Sequence, residues 1–206
     1  MTIEGLDFSG KSTLVRALKG SLSDTDTHFT REPGGTPVAE RIREILLDPE
    51  SDMEAWTEAY LYAAARADHA RVEILPRLGR GEDVVCERYL DSSLAYQGFG
   101  RGLGAEAVRG LNAHAVGAVM PDRTFYLRLD PRERERRAAG LGAPPDRIEA
   151  VGAGFMRRVE EGFEELARAE PGRIVVLDAS SPPQELAGIV VGEMRRLQYT
   201  RDERDL

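Results

Sequence analysis

The sequence predicts an α/β fold in three layers, with a parallel β-sheet of about five strands covered by helices on both faces. Two observations favour it. Short apolar runs alternate with longer amphipathic segments along most of the 206 residues. The runs are also rich in β-branched residues, as in Ile174 to Leu177, which is typical of strands buried on both faces. Because no linker or repeat interrupts this pattern, residues 1–206 are predicted to form a single domain.

The apolar runs give the predicted strands: Thr2 to Glu4, a short run ending near Thr30, Asp83 to Cys86, Arg123 to Leu129 and Arg173 to Leu177. The amphipathic segments give the predicted helices: Lys11 to Leu18, Pro37 to Leu46, Met53 to Leu78, Ala105 to Val116, Pro131 to Ala138, Arg147 to Ala169 and Pro183 to Leu197. Two loops outside these elements, Arg31 to Thr36 and Gly140 to Pro145, are candidates for functional or mobile segments.

The composition limits the kinds of partner that the protein is expected to bind. The net charge of −8 argues against a broad nucleic-acid surface, which needs an excess of basic residues. No apolar stretch approaches the roughly 18 residues that cross a bilayer, and the first residues lack the features of a secretion signal. We therefore expect a cytoplasmic protein that binds neither membranes nor nucleic acid. Arginine supplies nearly all the basic charge, since the only lysines are Lys11 and Lys19.

A phosphate-binding pattern follows the first predicted strand. Residues 5–12 match G-x-x-x-x-G-K-[ST] in full, and the segment from Thr13 onward can form a helix. We predict a P-loop NTPase fold in which the loop binds ATP through Gly5, Leu6, Asp7, Phe8, Ser9, Gly10, Lys11, Ser12 and Thr13. Lys11 would reach the β- and γ-phosphates, and the Ser12 hydroxyl would ligate Mg²⁺. The alternative is a glycine-rich turn without function.

Polar residues follow the strand Asp83 to Cys86. Glu87, Arg88 and Tyr89 should emerge at the carboxyl end of the sheet, where ligands bind in open α/β folds. A carboxylate at Glu87 can hold a Mg²⁺-bound water, and Arg88 can bridge the phosphates of donor and acceptor. A surface ion pair is the alternative interpretation.

Three segments together resemble the successive motifs of bacterial thymidylate kinases. They are Thr30 to Thr36, Glu87 to Gly98, and Asp146 to Glu149, and they follow the phosphate loop in the order that the family has. The resemblance extends from Ile3 to about Ala179. It implies transfer of the γ-phosphate of ATP to dTMP, giving dTDP and ADP in dTTP synthesis, with Mg²⁺ as cofactor and a homodimer as the assembly.

The resemblance also assigns a dTMP pocket. Arg31 would bind the acceptor phosphate on a turn shaped by Pro33, and Asp7 would face the deoxyribose 3′-hydroxyl. Tyr62 and Arg66 share one helical face; by resemblance Tyr62 stacks on thymine and Arg66 bonds its edge. From the residues alone, the more frequent interpretation of Tyr62 is a core aromatic. The remaining pocket residues implied are Arg88, Ser93, Tyr96 and Gln97, and Asp178 to Ser180 would border adenine.

Catalysis is expected to rest on alignment and on charge neutralisation by Lys11, Arg88, Mg²⁺ and lid arginines, and Asp7 is a further catalytic candidate. The chain departs from its relatives here, since Phe8 stands where some have arginine and Glu87 replaces an aspartate. The predicted lid spans about residues 132–147, and it has no arginine from Ala138 to Gly142, where arginines are expected. Arg137 and Arg147 are the predicted lid arginines, although a solvated helix face explains most charges from Arg132 to Arg137.

Three alternatives stay open. The acceptor can be another pyrimidine monophosphate such as dUMP or a modified pyrimidine nucleotide, or a small nucleoside, or the chain can bind nucleotides without efficient catalysis. The apolar residues Val108, Leu111, Ala115 and Val119 suit either a dimer interface or the core.

Overall fold

A computed structural model describes residues 1–117, 119–140 and 146–202. Most of the predicted loop Gly140 to Pro145, and the end of the charged tail, lie outside the described residues. Five strands form one sheet: β1 (Thr2–Glu4), β2 (Thr27–Arg31), β3 (Asp83–Glu87), β4 (Thr124–Arg128) and β5 (Ile174–Asp178). Their order is β2-β3-β1-β4-β5 and every pair is parallel, which confirms the predicted fold class.

The helices of the described residues are α1 (Lys11–Ser21), α2 (Pro37–Leu47), α3 (Ala55–His69), α4 (Leu75–Leu78), α5 (Leu90–Ser93), α6 (Ala105–Val116), α7 (Pro131–Ala139), α8 (Ala153–Ala169) and α9 (Pro183–Asp202). Local chemistry sets several starts. Pro37 and Pro131 occupy first-turn positions, and the side chains of Thr36 and Asp130 cap the amides of Ala39 and Arg132.

Strand alternation divides the core into two layers. In β3, Val84 and Cys86 belong to one hydrophobic cluster, and Val85 belongs to the other. Helix α8 contributes Val159 and Phe163 to the first cluster, and α1 and α9 build much of the second. The sheet is therefore covered on both faces, as its near-continuous apolar strands predicted.

Two helical predictions need correction, and one helical segment was not predicted. The segment Met53 to Leu78 is not one α-helix, because a π-helical turn (Ala70–Ile74) separates α3 from α4. The segment Arg147 to Ala169 is divided because Gly152 has a φ of 109°, which ends a 3₁₀ turn (Glu149–Val151) before α8 begins. The π-helical segment Leu94–Gly100, which continues α5, was not predicted.

The face suggested for a dimer belongs largely to the core. Val108, Ala115 and Val119 are buried within the single chain, which leaves little of that face for a partner. No helix in the described part of the chain is long and apolar enough to cross a lipid bilayer.

Candidate active site

The carboxyl ends of the five strands bring the predicted motifs together. The phosphate loop follows β1, the Arg31 to Thr36 segment leaves β2, and Arg88 follows β3. Helix α7 begins soon after β4, and Ala179 follows β5. Because all the strands are parallel, these connections share one edge of the sheet, which makes it the candidate active site.

The phosphate loop leads directly into a helix start that is free to bind an anion. Gly10 adopts a left-handed conformation with a φ of 98°, and no side chain caps the first turn of α1. The amides of that turn and the positive end of the helix dipole therefore remain available to phosphate oxygens.

An outer cleft of about 740 Å³ opens above this loop. That volume falls in the range of about 300–1,000 Å³ that is usual for small-molecule sites. Its lining comes from the loop, β3, α7 and the segment after β5: Asp7, Phe8, Ser9, Gly10, Lys11, Ser12, Thr13, Leu14, Glu87, Leu127, Arg137, Ala179, Ser180, Ser181, Pro182, Pro183 and Leu186. Gly5 and Leu6 do not line the cleft, and instead their carbonyls accept hydrogen bonds from Arg88 and Lys11.

Lys11 is buried at the floor of the outer cleft. Its Nζ donates to the Leu6 carbonyl over 2.7 Å and lies 3.9 Å from the Asp7 carboxylate. Burial and, next, the charge of Arg88 lower the pKa of Lys11 to about 8, against the opposing pull of Asp7 and Glu87. A bound anion would favour its charged form, so the side chain is suited to phosphate.

The two predicted metal ligands are in contact. The Ser12 hydroxyl donates to Glu87 Oε1 over 3.0 Å, and both residues line the outer cleft. A hydroxyl and a carboxylate fit Mg²⁺, which prefers oxygen ligands and keeps several waters or phosphate oxygens. Among the described residues no group of three or more His, Cys, Asp or Glu side chains could hold a metal.

A second cavity, the inner pocket, lies between the phosphate loop, the segment after β2, and helices α2, α3 and α5. Its lining is Asp7, Glu32, Pro33, Arg43, Leu47, Tyr62, Arg88, Ser92, Ser93, Tyr96, Gln97, Asp146 and Ile148. Seven of the predicted acceptor residues are among them: Asp7, Pro33, Tyr62, Arg88, Ser93, Tyr96 and Gln97. The Tyr62 side chain faces this pocket and is therefore not confined to the core.

The inner pocket and the outer cleft meet at Asp7, which lines both. Its carboxylate accepts a 2.5 Å hydrogen bond from Arg88 Nη2 and one of 3.3 Å from the Tyr96 hydroxyl. Burial alone would raise the pKa of Asp7, but Arg88 and Lys11 outweigh it and hold the pKa at about 2. Two cationic side chains, Lys11 and Arg88, and the Asp7 carboxylate thus lie where the two cavities meet.

Arg137 is the predicted lid arginine that reaches the phosphate loop. Its Nη1 lies 3.5 Å from the Ser9 carbonyl, and its Nη2 donates to the Ala179 carbonyl over 3.2 Å. Glu133, one turn earlier on α7, accepts from Arg137 Nε over 2.9 Å and orients the guanidinium. The side chain lies in the outer cleft beside the place expected for phosphates.

Arg147, the other predicted lid arginine, is held elsewhere. Its Nη1 lies 2.8 Å from the buried Glu58 carboxylate, and its Nε donates to the Leu46 carbonyl. Neither cavity includes it in its lining. Arg147 joins the segment after the lid to α2 and α3, and its contact with phosphate stays a prediction.

Arg66 and Arg31 were also predicted to bind the acceptor, and neither is part of the lining of the inner pocket. Arg66 is 2% exposed and donates to Glu32, Ser93, Asn112 and the Tyr89 carbonyl, so it lies behind the inner pocket and positions Ser93 instead of lining the pocket. Arg31 flanks the pocket at 46% exposure, because both oxygens of the Glu40 carboxylate hold its guanidinium.

Several lining residues were missed. Four of them lie within the three segments that resemble the family, so those segments already pointed to them: Glu32, Ser92, Asp146 and Ile148. Arg43 and Leu47 gave no such signal. Arg43, on α2, reaches the pocket, where its Nη1 donates to the Pro33 carbonyl.

Residues 3–188 match the family model described as thymidylate kinase. The chain belongs to the thymidylate kinase family. It is 46% identical to a thymidylate kinase of Deinococcus radiodurans, with 90% of this chain and 91% of that protein covered. It is 42% identical to a thymidylate kinase of Lactobacillus delbrueckii subsp. bulgaricus, with 98% and 97% covered.

The family's fold is shared as well. The crystal structure of thymidylate kinase from Ehrlichia chaffeensis superposes with a TM-score of 0.74 at 30% identity, covering 92% of this chain and 96% of that one. The resemblance noted from the motifs is thereby confirmed, and with it the assignment of the chain to the phosphotransferases.

Proposed function

We propose that this protein transfers the γ-phosphoryl group of ATP to the 5′-phosphate of dTMP, giving dTDP and ADP. The observation that carries the proposal is the meeting of two cavities at Asp7, with Lys11 and Arg88 on either side of it. A donor in the outer cleft and an acceptor in the inner pocket would face one another at this point. Membership of the thymidylate kinase family supports the choice of acceptor.

ATP would occupy the outer cleft. Its phosphates would lie against the amides of residues 9–13 and Lys11, and its adenine would reach the segment from Ala179 to Pro182. Ser12 and Glu87 would hold Mg²⁺, which neutralises phosphate charge when it is bound. Glu87 is one methylene longer than aspartate, and its direct bond to Ser12 supports its reach to the same ion.

dTMP would occupy the inner pocket. The ring of Tyr62 would stack on thymine, and the polar ends of Ser93 and Gln97 are placed for its edge. Arg88 and Arg43 are the two arginines of the lining, and we assign them to the acceptor phosphate. The ionised Asp7 would accept a hydrogen bond from the 3′-hydroxyl.

The transfer needs no strong base, because the acceptor phosphate is already anionic. One of its oxygens forms a bond to the γ-phosphorus as the bridging bond to ADP breaks. Lys11 and Arg88 neutralise the phosphoryl oxygens from below, and Arg137 does so from the lid side. The position of Arg137 on the phosphate loop favours catalysis over binding alone, since it supplies the charge that Phe8 lacks.

The homodimer is part of the proposal. Trp56 and Tyr60 of α3 are exposed with ring centroids 6.2 Å apart, and they offer an apolar surface to a second copy. We expect sedimentation equilibrium to show a dimer that Tyr60→Glu weakens. A chain that stays monomeric at every concentration would refute it.

The test of function is ADP release with Mg-ATP against dTMP, dUMP, UMP, dCMP and dGMP. We expect dTMP to give the highest kcat/KM. Lys11→Ala should abolish turnover, and Lys19→Ala, which changes the only other lysine on an exposed position of the same helix, should not. A preference for another monophosphate would change the acceptor, and ATP binding without turnover on any of them would favour a binding protein.

A further inference from the structure

Glu4 is a buried carboxylate to which the proposed mechanism gives no role. It is the last residue of β1, it is 0% exposed, and it directly precedes the phosphate loop. Its Oε1 accepts from the Tyr89 amide over 2.7 Å and from the Ser92 amide over 3.4 Å. Its Oε2 accepts from the Ser92 hydroxyl over 2.5 Å. None of these hydrogen bonds comes from a cation. A charge that is costly to bury is therefore held by donors from one short segment, Tyr89 to Ser92.

That segment carries Arg88 in an unusual conformation. Arg88 has a φ of 66°, which is in the left-handed region that disfavours a residue with a Cβ atom. The Tyr89 amide belongs to the peptide that immediately follows Arg88, so its bond to Glu4 fixes the backbone at this residue. The surrounding contacts therefore hold a conformation that the chain would otherwise leave.

Ser92 links Glu4 to the guanidinium itself. While its hydroxyl donates to Glu4, its oxygen accepts from Arg88 Nη1 over 3.2 Å. The guanidinium also donates to the Gly5 carbonyl and the Asp7 carboxylate, both in the phosphate loop, and it lies 5.2 Å from the centroid of the Tyr96 ring. Glu4 thus acts on Arg88 from two sides, through the backbone and through Ser92.

We propose that Glu4 is a positioning residue that fixes Arg88 for phosphoryl transfer through the Tyr89 amide and the Ser92 hydroxyl. The proposal rests on the proposed function, in which Arg88 touches the reacting phosphates. It explains why a carboxylate is kept at the end of a central strand, where an apolar residue would be easier to bury. A displacement of about 1 Å in such a group can cost about a hundredfold in rate.

The acidity of Glu4 supports this role. Burial and, next, the neighbouring Asp91 raise the pKa of Glu4 to about 7, while Ser92, Arg88 and the Tyr89 amide pull it down. Lys11, on α1, and the buried Cys86 thiol, on β3, also sense the charge of Glu4. Glu4 is therefore ionised above about pH 7 and gains a proton below it, and the proton removes the acceptor that Ser92 uses.

Three variants and one control test the proposal. Glu4→Gln keeps the shape but turns one acceptor into a donor, and Ser92→Ala removes the link to Arg88. We expect each to lower kcat about 10- to 100-fold with the KM for ATP unchanged, and the double variant to be no slower than the slower single variant. Thr2→Val, which removes a buried hydrogen bond two residues earlier in β1, should lower stability and leave kcat unchanged. The proposal would be overturned if the fold losses in kcat of the two single variants multiplied in the double variant, or if Glu4→Gln left kcat unchanged.

Two further measurements separate positioning from mere stability. The kcat of the wild type should fall more steeply than that of Glu4→Gln as the pH is lowered through about 7, because the variant keeps the titration of the substrate phosphates and loses that of Glu4. Nitrogen-15 spectra should show resolved Arg88 guanidinium signals, assigned by their loss in Arg88→Lys, that become averaged in Glu4→Gln. The spectra need no turnover, so an inactive wild type would count against the proposed function alone, and identical Arg88 signals in the two proteins would overturn the role of Glu4.

Discussion

At the scale of single residues, the site contrasts arginines that contact the phosphate loop, Arg88 and Arg137, with arginines whose guanidinium groups are held by carboxylates elsewhere. Lys11, Ser12 and Asp7 could be predicted because their places follow from one contiguous motif. The ion pairs of Arg31 and Arg147 could not be predicted, because their partners Glu40 and Glu58 come from other segments of the chain. Sequence identifies such cations but does not show which carboxylate each will meet.

Arg137 and its neighbour Arg136 allow a direct comparison of an arginine at the phosphate loop with one on the exposed face of α7. We predict that Arg137→Ala lowers kcat about a hundredfold or more, because it removes a charge that stabilises the transition state. Arg136→Ala is the matched control, since Arg136 is adjacent on α7, bonds the same Glu133 and is 75% exposed. Steady-state kinetics with saturating dTMP should show no comparable loss in the control. Equal losses in both variants would mean that Arg137 acts only through the general charge of α7.

Phe8 bears on stability as well as on catalysis. It has a φ of 65° within the phosphate loop, a conformation that disfavours any residue with a Cβ. We predict that Phe8→Gly is more stable than Phe8→Ala by about 1 kcal/mol, the reverse of their usual order. Urea denaturation of the two variants measures the difference directly. If alanine is the more stable, the loop does not hold this conformation in solution.

At the scale of elements, the strands were predicted to within a residue or two because near-continuous apolar runs mark strands that are buried on both faces. The helices were less predictable where the backbone departs from the α-helix. The π-helical segment Leu94–Gly100 packs against α8, and its form depends on that contact between distant parts of the chain. Nothing local in its sequence predicts such a segment.

The contact between these two elements depends on glycine. A Cβ at Gly162 of α8 would lie 2.8 Å from the ring of Phe99, closer than side chains tolerate. We predict that Gly162→Ala lowers the free energy of unfolding by about 1–3 kcal/mol, despite the better helix propensity of alanine. Gly188→Ala in α9, where nothing lies within 4 Å, should raise it by up to about 1 kcal/mol. Urea titration of both tests this, and two stabilised variants would contradict the close packing.

At the scale of the whole molecule, the three-layer class followed from the sequence, but the strand order β2-β3-β1-β4-β5 did not. Pairing depends on contacts between segments far apart in the chain, and apolar runs alone cannot rank them. That order places β1 and β3 side by side, and it thereby puts the phosphate loop next to Arg88. The joined cavities are a property of the assembled sheet.

The most direct test of the account follows both products of one reaction. Phosphorus-31 spectra of the wild type with Mg-ATP and dTMP should show dTDP and ADP appearing in equal amounts as ATP is lost. Lys11→Ala should show neither product, and Lys19→Ala should match the wild type. Release of inorganic phosphate without dTDP, or no change at all, would contradict the transfer of a phosphoryl group between the two cavities.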